Sequence, residues 1–185
     1  EMSGNVLCEA CEVVDPLWMI QMVGETLSSL LQTSGAWHNV EACIQVLTAV
    51  APRLPAGGDP VIPMMLESIP QLAYPPAGQP AVLLRGAVGR LVLYTSVYLS
   101  SRTELCSQIV LFFCLQVLPF LSQAQAPLET LNGSQSACAQ AVKMALHSAR
   151  RALVQKQDSV GNLLDSAFTA ALDERLSLDS RLQII

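Results

Sequence analysis

The chain has 185 residues, of which 51% are hydrophobic and 14% charged, a balance that excludes intrinsic disorder and can fill one sizeable core. Aromatic residues make up only 5% of the chain, which favours helices packed on helices over β-sheets. The net charge of −5, without a basic cluster in the sequence, argues against a direct nucleic-acid surface.

Helical periodicity recurs along the chain, and prolines, glycines and polar clusters divide it. Asp15-Pro16 is a typical helix start, with a capping carboxylate followed by proline in the first helical position. Asp59-Pro60 repeats that signal, and Thr103 is a further candidate N-cap. In chain order, the pattern predicts helices over 16–32, 37–53, 61–72, 80–99, 104–121, 135–155, 160–172 and 180–185.

The segments between these helices contain the residues that turns require. We predict a turn over 74–78 and a polar loop over 122–133 that contains Asn132-Gly133. Asn132-Gly133-Ser134 matches a glycosylation sequon, but we interpret it as part of this turn. Pro70 is expected to end or kink its helix, and Pro119 is expected to bend the last turn of its helix.

Two apolar stretches raise the question of membrane insertion. The stretch 109–121 is shorter than the roughly 20 residues that span a bilayer. The stretch 81–99 is long enough but contains Arg85 and Arg90. We therefore predict buried helices of a soluble protein and no membrane insertion.

Each predicted pair of helices occupies about 40 residues, the period of HEAT-type repeats. The pairs are 16–53, 61–99, 104–155 and an incomplete 160–185. We predict that residues 1–185 are an all-α HEAT-repeat segment of a longer solenoid, in which stacked pairs complete each other's core. A compact eight-helix bundle is the alternative fold.

Several segments resemble importin-β superfamily nuclear transport receptors, most closely the transportin-SR branch. The string Trp37-His38-Asn39-Val40-Glu41-Ala42 is similar to the family's "W…EA" helix. Further along, 136–143 is similar to its small-residue-rich helix, and 178–185 to a segment that begins a later repeat. The resemblance covers about 13–185. The sequence departs from the family at Leu93, where a small residue is common, and in the enlarged loop 123–135.

The resemblance implies a receptor in the nucleus and cytoplasm that carries protein cargo in nuclear import. Cargo, basic or Arg/Ser-rich, would lie on the concave face and be released by the small GTPase Ran in its GTP form; nucleoporins are further expected partners. The family pattern turns the helices from Trp37, Pro80 and Gln135 inward. The alternatives are a HEAT or armadillo-like scaffold unrelated to Ran, and a compact helical bundle with an apolar ligand pocket.

Individual residues carry weaker expectations. Trp37 is expected to fill the joint between two repeats, and Glu41 to cap its own helix or pair with a basic neighbour. Arg181 is expected to bond helix-end carbonyls or an acidic neighbour. A basic helix end is predicted at Arg150, Arg151 and Lys156, and an acidic edge for basic partners at Asp165, Asp173 and Glu174.

The sequence gives little support for catalysis or cofactor binding. Its two histidines, His38 and His147, are far apart, and no motif of a hydrolase, metalloprotease or phosphate-binding loop occurs. Cys8 and Cys11 form a lone CxxC, for which a zinc or redox module stays an alternative. The other cysteines are predicted to be buried, reduced thiols. We predict no enzyme and no catalytic, cofactor or metal residues, and the sequence assigns no partner-binding residue.

Overall fold

The computed structural model describes residues 14–30, 37–54, 60–154 and 157–184, and every regular element in these ranges is helical. The chain is therefore all-α over its described part, as predicted. In chain order the helices are α1 (Pro16–Leu30), α2 (Trp37–Val50), α3 (Val61–Ser68), α4 (Gly78–Thr95), α5 (Thr103–Phe112), α6 (Leu118–Gln123), α7 (Leu128–Val154), α8 (Gln157–Ala171) and α9 (Leu178–Ile184). Short 3-10 turns extend three of them, over Ala51–Arg53, Ile69–Gln71 and Ser96–Leu99.

Of the predicted helix starts in the described residues, the one at Asp15 is confirmed, whereas those at Pro80 and Thr103 differ in detail. The Leu17 backbone N–H donates to Asp15 Oδ1 at 3.0 Å, so Asp15 caps α1. α4 begins at Gly78, two residues before the predicted start at Pro80, and Gly78 has a φ of 78°, which glycine adopts without strain. Thr103 is the first residue of α5 rather than its cap, and no side chain caps that helix.

The predicted loop over 122–133 is wrong in most of its length. α7 begins at Leu128, so Asn132-Gly133 lies inside a helix of 27 residues rather than in a turn. The start of α7 follows Pro127, whose carbonyl accepts from the Leu131 N–H at 3.0 Å, and Glu129 favours the first turn. Burial of Ser134 and Gln135 against neighbouring helices outweighs the turn propensity of the residues before them.

The helix that contains Pro119 continues through this proline. A π-helical turn over Phe113–Val117 joins α5 to α6 in one continuous rod. Proline has no N–H to donate to the carbonyl four residues earlier, and widening the preceding turn is one way in which a helix absorbs that loss.

The helices form two rows, and each helix packs on the next member of its own row. One row contains α1, α3, α5 and α8, and the other contains α2, α4, α7 and α9. Among the described helices, the most extensive contact is between α4 and α7. A single hydrophobic core extends between the rows, from Ile20 in α1 to Ile184 in α9.

Two helical stretches of the described residues, Gly78–Leu99 and Thr103–Gln123, are long and apolar enough to cross a membrane by length and composition alone. In the fold, 67% of the apolar window of the first and 56% of the second are buried inside the protein. Their apolar residues therefore pack on other helices of the chain, the arrangement that the prediction of buried core helices requires.

Candidate partner-binding cleft

Small residues bring α7 unusually close to α4. A Cβ on Gly89 would lie 3.0 Å from the Cys138 backbone nitrogen and 3.1 Å from the Ala137 carbonyl carbon. A Cβ on Gly86 would lie 3.2 Å from the Ser134 Cα. These contacts advance together along both helices, so α4 and α7 run parallel in backbone contact. Their close packing fixes the orientation of α7, which carries the basic side of the cleft described below.

A buried glutamine attaches α9 to the same helix. Gln135 is only 2% exposed; its Nε2 donates to the Leu121 carbonyl at 3.2 Å and its Oε1 accepts from the Ser177 N–H at 3.1 Å. Ser177 then caps α9, since its Oγ accepts from the Ser180 N–H at 3.2 Å. One side chain thus links the end of α6, the body of α7 and the start of α9.

A cleft of about 340 Å³ lies where α7, α8 and α9 meet. Its size is within the range of ligand and peptide sites. The apolar lining consists of Leu146, Leu164, Ala167, Phe168 and Ile184. Leu164 is 43% and Phe168 55% exposed, so large apolar side chains on α8 face solvent at the mouth of the cleft.

The polar side of the cleft is basic. Lys143, His147 and Arg150 line it, all three are exposed, and their spacing of four and three residues places them on one face of α7. No acidic residue of the described part of the chain lines the cleft. In a chain with a net charge of −5, this is a local reversal of charge.

The residues singled out from the sequence lie apart from each other. Trp37 is half-buried and packs against the core, and its ring lies 3.4 Å from that of His38 between centroids. Glu41 accepts a hydrogen bond from Gln45 Nε2 at 3.0 Å, one turn further along α2, and within the described residues it makes neither a cap nor an ion pair.

Of the three residues of the predicted basic helix end, Arg150 lines the cleft. The side chain of Arg151 and the whole of Lys156 lie outside the described residues. Arg181 is half-buried, and its Nε is buried without a hydrogen-bond partner among the described residues, so this nitrogen does not make the predicted bond.

The predicted acidic edge is partly neutralised within the chain. Asp173 accepts from Arg175 Nε at 2.8 Å and from Arg175 Nη2 at 2.9 Å. These hydrogen bonds hold the pKa of Asp173 below its ordinary value. Asp165 and Glu174 are exposed, so they are the carboxylates of this group that remain open to a basic partner.

Four thiols lie in the core, as predicted: Cys43, Cys106, Cys114 and Cys138. Burial raises the pKa of Cys106, Cys114 and Cys138 to about 12. Neutral thiols of this kind are poor nucleophiles and poor metal ligands. Cys8 and Cys11 lie outside the described residues, and within the described ranges no group of three or more His, Cys, Asp or Glu side chains gathers to hold a metal ion.

The structural role of Arg85 was not predicted from the sequence. The Arg85 guanidinium lies over the rings of Phe120, at 3.8 Å from the centroid, and Tyr74, at 4.8 Å. It also donates to the Ala81 carbonyl at 3.0 Å. Burial lowers the pKa of Arg85, and the cation–π contacts hold the turn over 74–78 against α6. In the sequence, Arg85 was noticeable only as a charge in an apolar stretch.

Comparison with known proteins adds no identification: no protein-family model, no curated protein and no solved structure matches the chain. Over its described residues, the structure defines an all-helical chain with a cleft that has a basic and an apolar side.

Proposed function

We propose that this chain is a segment of a HEAT-type solenoid that binds protein partners, within a nuclear transport receptor of the importin-β type. The observation that supports it is the order of packing, in which α2, α4, α7 and α9 follow each other along one row. Helix pairs that stack along one direction generate such rows, and they leave a long surface for partners.

The packing of the first and last described helices favours this stack over a compact bundle. α1 packs chiefly on α2 and α3, and α9 packs chiefly on α7 and α8. A closed bundle would bring early and late helices together around one centre. The packing in sequence order is instead the pattern of a repeat array, in which each unit contacts its neighbours.

In this function the protein changes no covalent bond. Cargo would bind the row of α2, α4, α7 and α9, and Ran in its GTP form would lower the affinity for cargo by favouring another curvature of the solenoid. Exposed carboxylates on this row are available to basic cargo, for example Glu129 in α7 and Asp179 in α9.

Capture by Ran tests the proposal. The protein is tagged at its native locus, so that any sequence beyond residues 1–185 is present, and is captured from extract with Ran locked in the GTP state or loaded with GDP. Selective capture by the GTP form, with release of co-purifying proteins, is the expected result. Capture by neither form contradicts the transport function and favours a HEAT or armadillo-like scaffold unrelated to Ran.

A further inference from the structure

The cleft between α7, α8 and α9 has two walls of different chemistry. On α7, the basic face of Lys143, His147 and Arg150 forms one wall. On α8, Leu164 and Phe168 line the other wall and are 43% and 55% exposed. Leu172 follows four residues later, 75% exposed, and extends this apolar stripe beyond the cleft to a neighbouring pocket that it lines with Asp173, Glu174 and Arg175. The Leu172 N–H still donates to the Phe168 carbonyl at 3.0 Å, so the apolar stripe continues without a break through that residue.

We propose that this cleft binds an acidic amphipathic helix of a partner protein. The proposal rests on the protein-binding function proposed above and specifies the chemistry of one partner segment. Apolar side chains of the segment lie against the α8 stripe, and its carboxylates lie against Lys143 and Arg150. Charge complementarity selects an acidic occupant, because every charged side chain among the described cleft residues is basic.

The lengths of the basic face and of the apolar stripe favour a helix over a small ligand. Lys143 and Arg150 are seven residues apart, about 10 Å along α7, and the stripe from Leu164 to Leu172, which continues past the cleft, is about 12 Å long. A helix of three turns carries acidic residues seven apart on one edge and apolar residues at i, i+3, i+4 and i+7 on its face, which matches both walls. A small amphiphile would cover the cleft itself but leave the stripe exposed at Leu172.

Lys143 and Arg150 are suited to a specific test because both are exposed and neither makes an ion pair with a described residue. Reversal of their charges therefore removes no internal interaction that the fold needs. K143E/R150E changes the net charge by four, and Q21E/Q79E/Q116E/Q125E changes it equally at exposed positions outside the cleft. The quadruple variant is the matched control for long-range charge.

The probe is a synthetic, fluorescein-labelled 18-residue helical peptide of alanine with leucine on one face and glutamate seven residues apart on the adjacent edge. Its partner peptide has lysine in place of glutamate. We expect the glutamate peptide to bind the 185-residue chain saturably by fluorescence anisotropy, and more tightly than the lysine peptide. K143E/R150E should lower the affinity for the glutamate peptide about tenfold or more. Added salt should reproduce part of this loss of affinity with the parent chain.

The apolar wall has its own pair of variants. Phe168→Ala should lower the affinity for the glutamate peptide several-fold. Trp18→Ala truncates an equally exposed aromatic residue on α1 and should leave that affinity unchanged. Circular dichroism of all variants establishes that they are folded.

Three results would overturn the proposal: no saturable binding of the glutamate peptide, equal binding of both peptides, or equal losses of affinity in K143E/R150E and Q21E/Q79E/Q116E/Q125E. If the chain binds neither peptide but binds dodecanoate saturably, the cleft takes a lipid-like ligand instead. Since none of these assays contains Ran, failure here leaves the transport proposal intact, and failure of Ran capture leaves the peptide result interpretable.

Discussion

At the scale of single residues, Gln135 links three elements through one buried amide. Replacing it with methionine keeps the length of the side chain but leaves the Leu121 carbonyl and the Ser177 N–H without their partner. Because buried polar groups without partners are costly, Gln135→Met should lower the free energy of unfolding by about 2–4 kcal/mol.

Urea denaturation measures this change, and Gln108→Met at an exposed position of α5 is the matched control. The control should change stability by less than about 0.5 kcal/mol. Equal effects of the two substitutions would show that the bridge contributes nothing beyond side-chain polarity.

The buried thiols predict a dependence of stability on alkaline pH. The pKa of Cys106, Cys114 and Cys138 rises from 9.0 to about 12 because burial disfavours the thiolate. Above pH 9 the unfolded chain loses these protons while the folded chain keeps them. The stabilisation is therefore complete below pH 9 and is lost as the pH rises towards 12, by about 1.4 kcal/mol per pH unit for each thiol.

Urea midpoints at pH 8 and pH 10 measure this loss, and the conservative variant Cys114→Ala should show a shallower decline. The native chain should also resist iodoacetamide at these three positions at pH 8, whereas the urea-unfolded chain reacts. Rapid alkylation of Cys106, Cys114 or Cys138 in the native chain would mean that these thiols are not held in a closed core.

At the scale of elements, the contact of α4 with α7 requires small residues. Gly89→Ala places a methyl group at 3.0 Å and 3.1 Å from backbone atoms of α7, which cannot rotate away. The two helices must then separate, and we expect a loss of about 2–4 kcal/mol in the free energy of unfolding.

Gly133→Ala is the matched control on the other helix of the pair. A Cβ there meets nothing within 4 Å, and the position is helical and exposed. Alanine should therefore stabilise the chain by up to about 1 kcal/mol. Thermal melts of the two variants should move in opposite directions; a shared direction would contradict the close helix packing.

Many of the helices and their boundaries could be predicted from the sequence, and the exceptions have physical causes. The start of α1 was predictable because Asp15 acts locally, through a hydrogen bond two residues away. The helical conformation of Asn132-Gly133 was not predictable, because burial of Ser134 and Gln135 against helices distant in sequence outweighs the local turn propensity. The spacing of Lys143, His147 and Arg150 was visible in the sequence, but the apolar stripe opposite them depends on how α8 packs.

At the scale of the whole molecule, the two rows predict that stability is distributed along the chain. In a stack, a defect weakens its own unit and its neighbours, whereas in a closed bundle it weakens every helix together. Ile20 in α1 is fully buried, and Ile20→Ala should cost about 2–5 kcal/mol locally. α1 packs mainly on α2 and α3, so those helices should share the loss.

Hydrogen exchange followed by mass spectrometry resolves this by segment. Ile20→Ala should speed exchange in α1, α2 and α3 and leave α8 and α9 as in the parent chain, and Leu17→Ala at an exposed position of the same helix is the control. An equal increase over all helices would mean one cooperative unit and would favour the compact bundle. A graded increase that fades along the rows would support the stack on which the proposed function depends, because only a stack can bend and change its partner surface without unfolding as a whole.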